Sequence, residues 1–389
     1  MATTFPAAAR SADTEAAIEV PSGVTAGVAV YDRQTARFTE QLEADRQFRS
    51  ASVVKLLIVL DYLWDRGPDY SIPADDRTRL DTMLRSSDDS AASYYWGTGG
   101  GGAIVERMEG RLNLVNTAPP PQTTPNTWGY TAISAADTVR IYQYLLDRAP
   151  VPVRDYVMGN LRRYTRCATD GFDQQFGIAG AFDAPRAVKQ GWSGFGARGD
   201  CGPTPASGTD ANRMPRTASG SWAHDGSEVD TQRPALHTTG TVGTGDRFIV
   251  AVYTLHGLGT SYGKAYTDLG RITRSLNLPG IPRPEGSWFA TWGTSVRIRT
   301  APTTASAAIS RLPAGVEVLV RCQARGDEVT VPPYTNDWWA FLPQYGGYIT
   351  NIYFTSPDNK LPGVPDCLPL PSPHASAYQP RPGEDLTKP

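Results

Sequence analysis

Ser52-Val-Val-Lys55, within Phe48-Arg-Ser-Ala-Ser-Val-Val-Lys-Leu-Leu-Ile-Val-Leu60, opens an apolar run from Val53 to Leu60 that stops only at Asp61. Read as a helix, the run puts the serine hydroxyl and the lysine amine one turn apart on the same face. A serine becomes a nucleophile only with a base in hydrogen-bond reach. Among Val, Leu and Ile, desolvation disfavours the charged lysine, which suits it to be that base near neutral pH. The structural alternative makes Ser52 a helix N-cap and Lys55 a side chain that snorkels to water. Residues further along the chain decide between the two.

Two later segments bear on the choice. Ser86-Ser-Asp-Asp-Ser-Ala-Ala92 reads locally as a polar turn capping a helix that starts near Ala91. Val188-Lys-Gln-Gly-Trp192 reads locally as a strand with one charged residue and a glycine bulge. Taken in order, the three segments resemble the Ser-x-x-Lys, Ser-Asp-Asn and Lys-Thr-Gly motifs of class A β-lactamases and penicillin-binding proteins. The resemblance runs from about Val24 to Leu276. It implies an antiparallel sheet flanked by helices, a β-lactamase/transpeptidase-like α/β (α+β) domain.

The resemblance also implies roles. Ser52 is the nucleophile, Lys55 its base, and Ser87 a proton relay to the leaving nitrogen. Lys189 supplies positive charge for a substrate carboxylate. The backbone N–H groups of Ser52 and Trp192 form the oxyanion hole, and a donor at a helix N-terminus suits that task. Asp89, Gln190, Gly191 and His237 complete the substrate contacts.

Three departures from the pattern stand out. Asp89 replaces an asparagine, and an ionised carboxylate only accepts hydrogen bonds. Paired with Lys55 it raises the lysine's pKa and weakens it as a base. Gln190 replaces a threonine and loses a hydroxyl. The glutamate that deacylates class A enzymes, in a Glu-x-x-Leu-Asn pattern, has one formal match, Glu109-Gly-Arg-Leu-Asn113, which falls at a helix end soon after Ser87. From Arg111 to Ala136, through Trp128-Gly-Tyr-Thr131, there is no Asp or Glu. A long-lived acyl-enzyme is therefore expected, which points to a peptidase, transpeptidase or binding relative more than to a β-lactamase. Leu236-His-Thr-Thr-Gly240 is a competing third motif. Lys189 is preferred because three strand-like segments then follow in family order: 187–192, 236–242 and 248–254.

The chain has 389 residues, enough for two or more domains with a sizeable core. Its 37 Lys and Arg against 39 Asp and Glu give no electrostatic case for nucleic acid or an anionic membrane surface. No apolar stretch approaches the ~20 residues of a membrane span. Residues 1–17 show no apolar signal segment. The four cysteines, Cys167, Cys201, Cys322 and Cys367, fall two to each candidate domain. One bridge in each is expected, with three pairings formally open. Cys201 lies in the loop-like stretch 198–231, where a disulfide in an oxidising compartment is the more natural state.

Leu278-Pro-Gly-Ile-Pro-Arg-Pro-Glu-Gly286 reads as a linker. Beyond it come short strand signals: Val296-Arg-Ile-Arg299 with its Ala-Pro turn, Gly315 to Cys322, the paired Trp338-Trp339, and Gly346-Gly-Tyr348. From Trp288 to Cys367 these resemble a small all-β bacterial SH3-like barrel, which implies cell-wall peptide or glycan binding. Trp338, Trp339, Tyr334 and Tyr348 are the candidate platform, with at least one tryptophan expected in the core. The organisation expected is an N-terminal extension (1–22), a serine hydrolase domain (23–278), a linker (279–287), the SH3-like domain (288–367) and a Pro-rich tail (368–389).

Gly97-Thr-Gly-Gly-Gly-Gly102 fits a dinucleotide glycine pattern, but no strand precedes it, so it reads as a loop. His224, His237, His256 and His374 lack ligand spacing, and no metal or cofactor is expected. The expected function is secreted or wall-associated acyl transfer on a peptidoglycan stem peptide through Ser52, with β-lactams as candidate ligands. The alternatives are a non-catalytic wall-binding protein and a true β-lactamase.

Overall fold

The structure, a computed structural model, describes residues 18–196, 199–202, 229–313 and 315–367. The Pro-rich tail, His224, His374 and most of the 198–231 stretch lie outside the described residues.

The chain starts with the hairpin β1 (Thr25–Asp32) and β2 (Arg37–Leu42), then the short β3 (Phe48–Arg49). A mostly helical segment follows: α1 (Lys55–Trp64), α2 (Ala74–Arg85), α3 (Asp89–Thr98) and α4 (Ala103–Leu112). After β4 (Ala132–Ile133) come α5 (Ala135–Asp147), α6 (Val151–Arg162) and the single turn α7 (Ile178–Ala181). The chain then returns to the sheet through β5 (Arg186–Ser193), β6 (Ala235–Val242) and β7 (Phe248–Leu255), and α8 (Tyr262–Ser275) closes it. Of the glycine run expected as a loop, Gly97 and Thr98 are the last residues of α3, and only Gly99 to Gly102 form the turn into α4.

The sheet is antiparallel throughout, in the order β2-β1-β7-β6-β5. Its inner strands β6 and β7 are buried at every position because both faces are covered. Alternation along β7 sorts the side chains. Ile249, Ala251 and Tyr253 face the helices that include α1, and Phe248, Val250 and Val252 face α8. From Leu56 to Leu60 α1 is apolar on every side and buried on every side, as a central helix must be. Each such side chain contributes about 1.5–3 kcal/mol of burial.

The C-terminal region is all-β. The segments β8 (Ser287–Ala290), β9 (Val296–Arg299), β10 (Ala308–Leu312), β11 (Glu317–Val320), β12 (Cys322–Val331), β13 (Tyr334–Leu342) and β14 (Gly347–Thr350) follow in turn. The described strands form an open five-stranded sheet, β10-β9-β14-β13-β12, and a separate β8–β11 ribbon, not the closed barrel expected. Trp339 and Tyr348 are each 2% exposed and belong to the core, so only Trp338, between Arg325 and Lys360, and Tyr334 remain for a platform.

The 279–287 segment is packed. Pro282 O accepts from the Asp183 N–H (3.0 Å), Pro279 O accepts from Arg247 (3.1 Å), and Ile281 packs on the core. One apolar cluster runs from β1 and β7 through α8 into Val296, Val318 and Ile349. Glu317 is paired with both Arg271 and Arg274 of α8. The disulfides are Cys167–Cys201 and Cys322–Cys367, one in each part, as expected.

Candidate active site

The turn that carries Ser52 is held on three sides. β3 pairs with β4, and the Ser50 N–H donates to Thr131 O at 2.8 Å. The buried Arg49 guanidinium donates to Ser193 O at the end of β5 and to Asp230 O and Arg233 O. Residues 51–54 form a 3-10 turn leading into α1, and Ala51 adopts φ +44°, a conformation costing about 1–3 kcal/mol for a residue with a Cβ. Edge strand β5 lies against this turn, where a Cβ on Gly191 would stand 3.1 Å from Ser50 O and 3.2 Å from Val53 Cγ2. Glycine is needed there so that β5 can approach.

Lys55 does not snorkel. It is fully buried, and its Nζ donates to Ser52 Oγ (2.9 Å), Ser87 O (2.6 Å), Ser87 Oγ (3.3 Å) and Asp89 Oδ1 (2.6 Å). The Trp128 ring lies 4.7 Å from the same ammonium. Ser52 makes no capping bond; its hydroxyl faces the lysine. Ser87 precedes α3 in a left-handed conformation (φ +55°), while Asp88 does the capping through the Ala91 N–H. Lys189 of β5 donates to Ser87 Oγ (2.8 Å) and Gln190 O (3.1 Å). One hydroxyl, Ser87 Oγ, therefore bridges the two amines.

Burial, then the nearby Lys55 charge, push the Lys189 amine well below the usual lysine range, against a smaller pull from Asp89 and Asp170. The direction of that shift works against the fixed positive charge that the sequence suggested. Lys55, held by the Asp89 carboxylate, is a donor in every contact it makes. The Asp89 side chain is itself 55% exposed, at the rim.

Other sequence candidates lie elsewhere. His237 is fully buried. Its Nε2–H donates to Arg49 O (2.8 Å), its Nδ1 accepts from the Thr254 N–H (3.2 Å), and burial lowers its pKa to about 3. It supports the turn before Ser52, and its ring is closed off from solvent instead of offering the substrate contact that the motif suggested. Gln190 is likewise turned inward, donating to Gln174 O and Phe176 O. Glu109 lies within α4; burial, then Glu106 and Asp137, raise its pKa to about 7.

That Glu109 shift has a thermodynamic consequence. The folded pKa exceeds the unfolded one, so the folded state binds the proton more tightly and stability falls as pH rises through about 7. Glu109→Gln is expected to raise the melting temperature at pH 8 and leave it unchanged at pH 4, read by thermal denaturation at both pH values.

Sequence reading missed Arg49, Trp128 and Asp170. Asp170 accepts from Trp192 Nε1 (2.9 Å), and burial raises its carboxyl above the usual range. Nothing in a one-dimensional pattern marks these three, because only the fold brings them to the Ser52–Lys189 cluster. Among the described residues no group of His, Cys, Asp and Glu is arranged to hold a metal ion, and no helix is long and apolar enough to cross a membrane.

No protein-family model matches the chain. Proteins named "Putative lipoprotein LppW" from Mycobacterium bovis and Mycobacterium tuberculosis are 37% identical over 193 residues, 48% of this chain. The chain spans 59% of the length of these curated relatives. Solved structures similar to it include a class A β-lactamase from Mycobacterium abscessus (18% identity, 65% of this chain and 92% of that one, TM-score 0.45). Others are the β-lactamase from Streptomyces albus G (17% identity, 65% and 93%, TM-score 0.45) and PBP-A (14% identity, 66% and 90%, TM-score 0.45).

Proposed function

We propose that the chain is a serine acyl-transfer enzyme of the penicillin-recognising type, acting in the cell envelope on a peptidoglycan-like peptide. The observation that carries this reading is the chain Ser52 Oγ–Lys55 Nζ–Ser87 Oγ–Lys189 Nζ, with successive separations of 2.9, 3.3 and 2.8 Å. It leads from a candidate nucleophile to an amine whose surroundings favour the neutral form.

In this reading Lys55 passes a proton through Ser87 to Lys189 and takes the Ser52 proton in its place. Ser52 Oγ bonds to the carbonyl carbon, and the π pair moves to oxygen, facing the backbone N–H groups of Ser52 and Trp192. Each donor of such an oxyanion hole is worth about 3 kcal/mol. On collapse the C–N bond breaks, and the leaving nitrogen receives its proton from Lys189 through Ser87. An ester acyl-enzyme remains, to be taken up by water or an amine. The two disulfides and the lipoprotein name of the relatives support an extracytoplasmic setting. Trp338, with its ring between Arg325 and Lys360, and the exposed Tyr334 are the residues proposed to touch wall glycan or peptide.

The test is incubation with a fluorescent penicillin followed by peptide mass spectrometry. An adduct on Ser52 is expected, and its absence from folded protein rejects the reading. Slow nitrocefin turnover is expected alongside, since Glu109 sits in α4 among Glu106 and Asp137 instead of beside Ser52.

A second reading, a wall-binding protein without turnover, is favoured by the Lys55–Asp89 ion pair, which holds the amine nearest Ser52 as a donor. Asp89→Asn separates the two. A charge-assisted hydrogen bond is worth about 1.5–3 kcal/mol, so releasing it is expected to speed Ser52 acylation roughly 10- to 100-fold. An unchanged rate removes Asp89 as a brake. If neither protein is acylated while both pull down with cell wall, the binding reading holds.

A further inference from the structure

The segment 165–176 touches the elements on both sides of the Ser52–Lys189 cluster. On one side it holds the turn before Ser87. The Thr165 N–H donates to Arg85 O (3.0 Å), the Thr169 N–H to Ser86 O (2.9 Å), and Gln174 Nε2 to Arg85 O (3.1 Å). On the other side it holds β5. Gln190 Nε2 donates to Gln174 O (3.1 Å) and Phe176 O (2.8 Å), and Trp192 Nε1 donates to Asp170 Oδ2. Within the segment, the Gln174 N–H donates to Arg166 O (2.7 Å) and the Ala168 N–H to Phe172 O (2.9 Å), so it behaves as one small hairpin.

Its base rests on the C-terminal β region. Tyr345, in the β13–β14 turn, donates from its hydroxyl to Asp173 Oδ2 (2.9 Å), and Arg166 donates to Tyr345 O (3.1 Å) across the Tyr345 ring. Tyr345 is 2% exposed and Asp173 1%. The Gln175 N–H donates to the other carboxylate oxygen, Asp173 Oδ1 (2.8 Å), and the Tyr262 hydroxyl donates to the backbone Asp173 O (2.6 Å). We infer that Tyr345 and Asp173 are positioning residues: through the 165–176 hairpin, the C-terminal β region sets the distance between Ser87 and Lys189. This rests on the proposed function for its catalytic meaning and on geometry alone for the linkage. The β region is then part of the enzyme body, tied to the Ser52–Lys189 cluster through Asp173 and the 165–176 hairpin.

A pH signature accompanies the linkage. The groups around Asp173 are Tyr345, Tyr262, Tyr266, Arg166 and the Gln175 N–H; burial raises its carboxyl to about 6 against the hydrogen bond from the Gln175 N–H, then that from Tyr345, then the Arg166 charge. The folded pKa lies above the unfolded value, so the hairpin is tightest below about 4 and loosens as pH rises through about 6.

Tyr345→Phe keeps the ring and removes one O–H. Amide hydrogen exchange is the first readout. Ala168, Thr169 and Gln174 are expected to exchange about tenfold faster, with β1 and β7 unchanged. In wild type this exchange steps up as pH rises through about 6. Tyr345→Phe moves the step to higher pH and Asp173→Asn abolishes it, two shifts that loss of packing alone does not produce. The second readout is the acylation rate of Ser52 by a fluorescent penicillin, expected to fall about tenfold in Tyr345→Phe, with the decrease in the acylation step more than in binding. Unchanged exchange and an unmoved pH step overturn the linkage, and altered exchange with an unchanged acylation rate overturns the positioning role. No adduct in wild type, with hairpin exchange still responding, rejects the proposed function and leaves the linkage standing.

Discussion

Ser52→Ala is expected to abolish covalent labelling by a β-lactam reporter while leaving the protein folded. Removal of a serine nucleophile lowers turnover by a factor on the order of 10^6, since no other group at the site forms the acyl bond. The fold has little stake in that hydroxyl. Ser52 Oγ accepts one bond from Lys55, and the buried ammonium keeps Ser87 O, Ser87 Oγ and Asp89 Oδ1 as acceptors. The stability cost is therefore about 1 kcal/mol, a melting shift of about 3 °C. Intact-mass spectrometry and a thermal melt on the same sample check both halves. Labelling that persists in Ser52→Ala removes Ser52 from the chemistry.

Lys189→Met is the second large effect. If Lys189 is the final proton acceptor of the relay, the substitution costs about 10^2–10^4-fold in acylation, the range of general acid–base catalysis. Its stability signature runs the other way. The folded pKa of Lys189 is well below the unfolded one, so between those two values the unfolded chain binds one more proton than the folded protein. Stability contributed by this group consequently rises with pH across that window and is lost on acidification. Methionine, similar in reach and uncharged, removes that slope and stabilises the fold on the acid side of the window. Urea denaturation of both proteins from pH 6 to 10, with labelling rates on the same series, reads both. An acylation rate within twofold of wild type shows that the proton goes elsewhere, and an unchanged slope shows that Lys189 is charged in the folded state.

Much of the main architecture was legible in the chain itself. The segments 187–192, 236–242 and 248–254 were readable as strands because burial on both faces demands near-continuous apolar or small residues. They are β5, β6 and β7, paired in sequence order. The apolar run after Ser52 was readable as a helix, and the 3-10 entry that turns the serine towards the lysine was not, since Ala51 carries a left-handed φ that no propensity favours. His237 looked like a substrate contact because motif spacing cannot report side-chain burial. The C-terminal strands were detected individually, but an open sheet in place of a barrel is a matter of register and closure, which short alternating segments do not encode. The linker composition of 279–287 was equally silent about the shared core beneath it.

By itself, then, the sequence determined which chemistry was available: a serine and a lysine one helical turn apart, a second serine, a second lysine, and an aspartate where an amide was expected. Local spacing suffices for that, because residues three apart on a helical turn meet whatever surrounds them. Only the tertiary structure decided how those groups divide their protons. Lys55 and Lys189 are both buried. The first meets a carboxylate at 2.6 Å and the second meets only a hydroxyl and a carbonyl, so burial and the Lys55 charge together lower the Lys189 pKa against a smaller pull from Asp89 and Asp170. That asymmetry comes from positions 34 and 102 residues distant in the chain, set by the fold and by the hairpin resting on Tyr345.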